Sequence, residues 1–505
     1  MYAGHSLSVM MQILGLNSSQ SSLELLLIFD LIIWWWHCIT AIQKRRSERW
    51  AITRGLGRFE RDWFWEKGNL SGDGFSSLNQ PLLTHHGHCE PAMPRMETHK
   101  TETMENQSNH PQQIAAGTTF LRTCFNGVNA LSGVGILSIP YALSEGGWLS
   151  LIFLFITAIA CYYTGLLLRR CMDSHQHVKT YPDIGELAFG YKGRAMVAIF
   201  MYLELYLVLV EFLILEGDNL EKLFPKMSFQ VASLKIEGKQ GFILLAALAI
   251  LPTTWLRNLG LLAYVSAGGV LASIIVVCSV AWAGVTDGVG FHQRGRLLNW
   301  AGLPSAISLY AFCYCGHAVF PTLCASMKDR NQFPKVLVIC FILCTLNYGS
   351  MAIIGYLMYG EDLKSQVTLN LPLGNLSSKI AIYTTLVNPF TKYAIMVTPI
   401  AVAIEDWFPL RNSRPISLLI RTAILISNVV MALTVPFFAY LMAFIGAFLS
   451  VVVSMLLPCI CYLKIFKASR RFSLELVIIS GILVLGTVVA VLGTYISLRQ
   501  IVDHL

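Results

Sequence analysis

Eleven long apolar segments constrain the fold of this 505-residue sequence more than any other feature. We number them 1 to 11; they lie at roughly 117–143, 148–169, 194–216, 240–257, 260–285, 302–326, 335–359, 379–405, 416–436, 438–463 and 474–498. A helix that crosses a bilayer needs about 20 apolar residues, and most of these segments are too uniformly apolar to present one wet face. The sequence therefore predicts an all-α polytopic membrane protein with about 11 transmembrane helices.

The composition excludes a large water-facing surface. Only 13% of the residues are charged, 55% are hydrophobic, and the mean hydropathy is +0.59, whereas soluble domains contain about 25% charged residues. The net charge of +8 could indicate nucleic-acid binding. However, Lys and Arg stand in short clusters at the ends of apolar runs, as they do in membrane loops. We expect a lipid bilayer as the partner and no nucleic acid.

Cysteines and sequence motifs argue against a metal site and against catalysis. The 13 cysteines follow no disulfide pattern, and most lie in apolar segments, where a thiol behaves as a small hydrophobe. The pairs Cys313/Cys315 and Cys459/Cys461 lack the CxxC spacing of a metal site. GxSxG, HExxH and P-loop motifs are absent from the sequence. We predict no metal, no cofactor and no catalytic residues, and hence no enzyme.

The first 115 residues differ from the rest of the chain. Residues 1–42 contain one apolar run at 23–42, which is an extra anchor, an interfacial helix or an uncertain start of the chain. Residues 43–115 are first basic and aromatic and then polar, so they cannot bury a core, and we predict a disordered cytosolic tail. Residues 116–500 form the predicted transmembrane domain.

Basic residues predict the orientation in the membrane. Loops alternate between basic-rich and basic-poor, and the richer set is expected in the cytosol. That set contains Arg169, Arg170, Lys179, Lys192, Arg194, Arg257, Lys328, Arg330, Lys335, Arg411, Arg414, Lys464, Lys467, Arg470 and Arg471. The N-terminal tail is then cytosolic, and the glycosylation sequon at Asn375 lies on the other side, as glycosylation requires.

Segments 1 and 6 each carry a Gly followed five residues later by a Pro: Gly135 with Pro140, and Gly316 with Pro321. Both residue types weaken a helix, and a spanning helix is interrupted only where the freed backbone groups line a cavity. Gly and Pro are common in membrane helices, but interruptions at corresponding places in two halves indicate a transporter site. Since each half has five segments, the second half is inverted, which predicts a LeuT-like 5+5 inverted repeat plus segment 11.

An interrupted helix suits a free amino acid, which carries both a carboxylate and an ammonium. Exposed amides at the start of a half-helix suit the carboxylate, and exposed carbonyls at the end of another suit the ammonium. Side chains near the break then select the substrate. The small residues Gly133, Gly135 and Gly316 and their neutral neighbours favour neutral amino acids.

The sequence resembles the amino acid/auxin permease family, and among its members the plant vacuolar amino acid transporters. The matching stretches are NALSGVGILSIPYALSEGGW in segment 1, TYPDIGELAFG before segment 3, YCGHAVFP in segment 6 and NPFTKYAIMVTPI in segment 8. The resemblance covers about residues 117–498 and implies amino acid transport, usually with protons. It implies a substrate site of Asn129, Ser132, Gly133, Val134, Gly135, Ile136, Cys313, Tyr314 and Gly316.

Ionisable residues inside the segments are the candidates for proton coupling. Glu204 and Glu211 lie seven residues apart on one face of segment 3. Glu204 could instead be a paired structural carboxylate, and Glu211, nearer the non-cytosolic end, could be wetted there. His317 follows the Gly316 break and could titrate near neutral pH or donate to a freed carbonyl. Lys392, in segment 8, could take the place of a cation or pair with one of those glutamates. We expect Arg421 to snorkel to the cytosolic surface.

These expectations favour a secondary active transporter that moves amino acids by alternating access around the two broken helices, driven by a proton gradient. The alternative is an amino acid sensor on the same fold, whose tail reports occupancy to partners. The resemblance places the protein in the vacuolar membrane, with the plasma membrane as the alternative. Symport or antiport, the particular amino acid and the oligomeric state are left open.

Overall fold

The computed structural model describes residues 117–503, apart from gaps at 176, 226, 228, 232–233, 237, 256–258, 407–412, 435–437 and 467–473. The expectations for the apolar run at 23–42 and for the tail at 43–115 lie outside the described residues. The part described belongs to one compact unit of the chain.

Helices account for almost all of the described structure. In chain order they are α1 Phe120–Leu131, α2 Gly135–Gly146, α3 Leu151–Asp173, α4 Tyr181–Leu223, α5 Gly238–Thr254, α6 Leu259–Thr286, α7 Leu303–Cys313, α8 Phe320–Ser326, α9 Phe333–Tyr359, α10 Leu376–Glu405, α11 Arg414–Thr434, α12 Phe438–Ile465 and α13 Leu474–Asp503. Each predicted segment contains at least one of them, and segments 1 and 6 each contain two. The prediction of an all-α fold is confirmed.

Among the described residues, eight helices are long and apolar enough to cross a membrane, or nine if the bent pair α1 and α2 forms one span. Two further apolar helices, α5 and α7, are shorter. The count of 11 crossings therefore stays a prediction.

Helix α4 begins well before the predicted start of segment 3 at residue 194. The Thr180 side chain accepts from the amide of Asp183, whose carboxylate accepts from the amide of Thr180 at 2.9 Å. This capping box starts a polar first turn that hydropathy alone does not mark. Gly190, with φ 67°, then kinks the helix, so the early residues and the apolar part run in different directions.

One small sheet was not predicted from the sequence. Strands β1 (Phe229–Val231) and β2 (Leu234–Ile236) form an antiparallel hairpin between α4 and α5, in which Phe229 pairs with Ile236. Each strand has only three residues, too few to show a two-residue period in the sequence.

The two interrupted segments are tied together at both ends by backbone hydrogen bonds. At one end, the amide of Thr118 donates to the carbonyl of Ser326 at 2.8 Å, and the amide of Lys328 donates to the carbonyl of Thr118 at 3.0 Å. At the other end, the amide of Asn299 donates to Gly146 at 3.0 Å, and the amide of Trp148 donates to Arg296 at 3.1 Å. These bonds hold the two segments side by side along their length.

Arg421 does not snorkel to the surface, so that expectation was wrong. Its side chain is 1% exposed, and its Nη1 donates to the carbonyl of Thr254 at 2.9 Å. Its Nε lies 3.7 Å from a carboxylate oxygen of Glu405. Thr254 ends α5, so its carbonyl is not used within the helix. The guanidinium therefore has its partners inside the bundle, where it joins α5, α10 and α11.

Candidate substrate site between two broken helices

The first break separates α1 from α2. Helix α1 ends at Leu131, α2 begins at Gly135, and the two axes differ by 46°. The intervening backbone makes short local bonds, including the amide of Gly133 to the carbonyl of Leu131 at 2.6 Å. Pro140, the predicted breaker, lies inside α2. The interruption therefore precedes the Gly-to-Pro stretch instead of falling at the Pro.

The second break separates α7, which ends at Cys313, from α8, which begins at Phe320. The Gly316 carbonyl accepts from the amides of Val319 at 3.0 Å and Phe320 at 3.2 Å. Pro321 occupies the first turn of α8, where its missing N–H costs nothing.

The glycines at the two breaks let the segments approach each other in a reciprocal way. A Cβ on Gly135 would lie 2.6 Å from the Cys313 sulfur, and one on Gly316 would lie 2.7 Å from a methyl of Leu131. Each glycine therefore packs against the last residue of the opposite half-helix. A Cβ on Gly133, in contrast, would have its nearest neighbours at 3.8 Å or more, so free space remains beside the first break.

A small cavity lies at this meeting point. Six of the predicted site and coupling residues line it: Gly133, Val134, Gly135, Glu204, Cys313 and Gly316. The rest of the lining is mainly apolar and comes from Ala130, Leu131, Leu205, Val208, Phe212, Phe312, Cys315, Ala318, Val319, Tyr348 and Met396. The other predicted residues are not in this lining: Asn129, Ser132, Ile136, Tyr314, Glu211, His317 and Lys392.

Asn129 and Ser132 face α6 and α10. The Ser132 hydroxyl donates to Ser273 at 2.9 Å, and the Asn129 side-chain amide approaches the carbonyl of Thr391 at 3.5 Å. Gly269 of α6 leaves no room for a Cβ between the Asn129 and Thr391 side chains. These residues form a polar contact zone between the first break and helices α6 and α10.

Lys392 lies in that contact zone. Its side chain is 0% exposed, and its ammonium donates to the carbonyl of Ser132 and lies 3.4 Å from the Asn388 side-chain oxygen. In the part of the chain that the structure describes, Lys392 forms no ion pair with Glu204, Glu211 or another carboxylate. The predicted pairing with a glutamate of segment 3 is thus not seen among the described residues, and the cation-replacing role stays a prediction.

Helix α4 carries a series of buried carboxyl groups. Glu204 is 3% exposed and lines the cavity, while Glu211 is fully buried. One oxygen of Glu204 and both oxygens of Glu211 have no hydrogen-bond partner among the described residues. Glu216 is also buried with an unpartnered oxygen. The sequence reading missed Glu216 because it is the last residue of segment 3, where a carboxylate is easily read as wetted.

His317 points away from the cavity. Its Nε2 lies 3.0 Å from the carbonyl of Cys161 and 3.0 Å from the hydroxyl of Thr164, and its side chain is 1% exposed. Since the carbonyl can only accept, Nε2 carries the proton. The ring thus attaches the second break to α3. Tyr314 likewise bonds outward, through its hydroxyl, to Thr345 at 3.0 Å.

Tyr348 of α9 is a residue that sequence reasoning missed. Its fully buried hydroxyl donates to the carbonyl of Leu131, at the end of α1, and lies 3.0 Å from the carbonyl of Cys313, at the end of α7. An uncharged Tyr in an apolar segment gives no sequence signal of such a role.

Backbone groups of opposite polarity lie at the two breaks. The amides of Val134 and Gly135, at the start of α2, have no acceptor within the described residues. The carbonyls of Leu131 and Cys313 converge from the C-terminal, electronegative ends of two helices. Among the described residues, no group of three or more His, Cys, Asp or Glu could hold a metal ion.

Comparison with known proteins decides the family. The family model described as "Transmembrane amino acid transporter protein" matches residues 116–499. The chain belongs to this family. The predicted resemblance is therefore confirmed, and the protein is an integral membrane protein of a transporter family and not an enzyme.

Several curated relatives from Arabidopsis thaliana are similar to the chain over most of their length. "Amino acid transporter AVT1I" is 54% identical over 402 residues, which cover 79% of this chain and 99% of the relative. "Amino acid transporter AVT1J" is 52% identical over 387 residues, which cover 76% of this chain and 92% of the relative.

The solved structures support the fold. The crystal structure of MhsT in complex with L-phenylalanine matches with a TM-score of 0.50 and 12% identity, covering 75% of this chain and 98% of that chain. At this identity the likeness shows the fold alone, which is the LeuT-like fold predicted from the interrupted segments.

Proposed function

We propose that the protein is a proton-coupled carrier of neutral amino acids that works by alternating access around the two broken helices. The observation that carries the proposal is the cavity in which the half-helix ends of both segments meet. Family membership supports amino acids as the substrate class, because the relatives are named amino acid transporters.

The chemistry of the cavity supports a zwitterion whose own side chain is uncharged. The unpaired amides at the start of α2 suit the carboxylate, and the two convergent carbonyls suit the ammonium. Around these backbone groups the lining side chains are uncharged except for Glu204, so a second charge on the substrate would find at most one ionic partner. A buried charge without a partner is strongly disfavoured.

Proton coupling is supported by ionisable groups that are buried without counter-ions. Lys392 bonds only neutral oxygens, and Glu204 and Glu211 have unpartnered oxygens among the described residues. Ionisable groups in the interior of a membrane bundle commonly belong to ion or proton pathways. We assign Lys392 as the group that replaces a bound cation at the first break, and Glu204 as the proton-carrying group that faces the substrate.

The membrane and the orientation are part of the same proposal. The resemblance to plant vacuolar transporters supports the vacuolar membrane, with the plasma membrane as the alternative, and the basic loops support a cytosolic N-terminal tail. The sequon residue Asn375 is exposed at the start of α10. Glycosylation there, detected by a mobility shift on deglycosylation, would support this orientation, whereas protease cleavage of the tail only from the lumenal side would contradict it.

The function is tested by reconstituting the purified full chain into vesicles and following labelled neutral amino acids with and without an imposed pH gradient. We expect accumulation that depends on the gradient and disappears when an ionophore collapses it. Vesicles without protein control for leakage. Binding of amino acids without flux of any of them would contradict the carrier and favour the sensor alternative.

A further inference from the structure

The hydroxyl of Tyr348 lies between the C-terminal ends of two half-helices. It contacts the carbonyl of Leu131, which ends α1, and the carbonyl of Cys313, which ends α7. Tyr348 itself belongs to a third helix, α9, and lines the cavity. One hydroxyl therefore connects the freed ends of both broken helices at the wall of the site.

A hydroxyl carries one hydrogen, so it can donate to only one of two carbonyls at a time. The Leu131 carbonyl also receives the amide of Gly133, but the Cys313 carbonyl has no other donor among the described residues. When Tyr348 donates to Leu131, the Cys313 carbonyl is left unsatisfied in a buried place. The site thus contains more hydrogen-bond acceptors than the protein has donors to satisfy.

A primary ammonium supplies three donors and a positive charge, which the negative ends of two helix dipoles favour. The ammonium group of an amino acid therefore satisfies both carbonyls better than the hydroxyl does. The ring of Tyr348 packs edge-on against Tyr314, with centroids 5.6 Å apart, so the hydroxyl is held in place when no ligand is present.

We propose that the Tyr348 hydroxyl is a surrogate for the substrate ammonium: it bonds the carbonyls of Leu131 and Cys313 in the empty carrier and yields them when an amino acid binds. This inference rests on the proposed function. Tyr348 is a positioning residue in this role, since it keeps the two half-helix ends together during the return of the empty carrier.

The role separates two modes of transport. Net transport requires the empty carrier to reorient, whereas exchange of amino acids across the membrane does not. Removing the hydroxyl leaves buried carbonyls unsatisfied only in the empty carrier, so it destabilises that state and leaves the loaded state unchanged. Binding of the amino acid then becomes tighter, because nothing has to be displaced.

The test uses Tyr348→Phe, which keeps the ring, in vesicles that contain the full chain. We expect net uptake to fall by about tenfold relative to exchange, the ratio that one lost buried hydrogen bond of ordinary strength produces. We also expect a lower KM for the amino acid and a larger thermal stabilisation of the purified variant by it.

The matched control is Tyr359→Phe, on the same helix. The Tyr359 hydroxyl has no hydrogen-bond partner among the described residues, and we expect an unchanged ratio of net uptake to exchange. Equal effects of Tyr348→Phe on net uptake and exchange, or no effect on either, would overturn the inference while leaving the carrier function intact. Absence of flux in the unmodified protein would instead refute the proposed function.

Discussion

At the first break a buried ammonium, that of Lys392, donates to the carbonyl of Ser132, whereas at the second break a neutral ring, that of His317, donates to Cys161 of α3. Polar groups of α6 and α10 surround the first break, including Ser273 and Asn388. The two interrupted helices thus differ: the first break has a charged side-chain partner, and the second has a neutral one. This difference indicates that the two breaks have different roles in transport.

We infer that the first break carries the coupling and the second mainly anchors the mobile half-helices. Burying a charge costs free energy, so a charged group inside a membrane bundle commonly has a function. The Nε2 of His317, in contrast, donates to a carbonyl while its Nδ1 has no partner among the described residues, as suits a neutral structural ring. Substitutions at the residues around each break test this division.

Replacing Lys392 by Met keeps most of the length of the side chain and removes its charge. We expect gradient-driven accumulation to fall by more than about tenfold, equivalent to about 1.4 kcal/mol or more, because the cation at the first break is lost. Accumulation in reconstituted vesicles is the measurement, and the exposed Lys364→Met is the control. Normal proton-coupled accumulation in Lys392→Met would remove Lys392 from the coupling.

Glu204→Gln and Glu211→Gln compare two buried carboxyl groups of one helix. Only Glu204 lines the cavity, so we expect Glu204→Gln to reduce the dependence of uptake on the pH gradient by about tenfold. Glu211→Gln should have a smaller effect. Initial rates across a series of pH gradients give the comparison, and a larger effect at Glu211 would shift the coupling away from the cavity.

His317→Leu tests the anchoring role of the second break, because Leu has no donor for the Cys161 carbonyl. Loss of the ring should lower the free energy of unfolding by about 1–3 kcal/mol, since Cys161 and Thr164 lose a buried partner. The pH profile of uptake should keep its shape, because the ring is bound as a neutral donor. A displaced pH profile without loss of thermal stability would instead make His317 part of the coupling.

Ser273→Ala should have the smallest effect. It removes the hydroxyl that bonds Ser132 at 2.9 Å, and one neutral hydrogen bond contributes about 1 kcal/mol to stability. We expect a slightly lower melting temperature and a modest rise in KM. An effect as large as that of Lys392→Met would mean that the whole polar zone, and not the ammonium, determines coupling.

Backbone effects were the most predictable part of this molecule. Long apolar runs predicted the helices, and the Gly and Pro residues predicted interruptions in segments 1 and 6, because both residue types act through local backbone geometry. Yet Pro140 continues its helix, and the break lies at Ser132 to Val134. The glycines at the breaks allow close approach to the opposite half-helix, in addition to making the backbone flexible.

Side-chain partners could not be read from the sequence, because they come from distant helices. Arg421 finds Thr254 and Glu405, and is buried instead of reaching the surface. Tyr348 stands in segment 7 like any apolar residue until two carbonyls from other segments meet its hydroxyl. Sequence reasoning nominated Lys392 as ionisable within the membrane, but its acceptor at Ser132 depends on the packing of α1 against α10.

The central claim, that the cavity between the two breaks is the amino acid site, can be tested with a native thiol. Cys315 lines the cavity, whereas Cys278 is exposed on α6. The rate of maleimide modification of each thiol in the purified protein is measured by peptide mass spectrometry, with and without a saturating neutral amino acid. The account predicts slower modification of Cys315 and no change at Cys278; unchanged modification of Cys315 would contradict it.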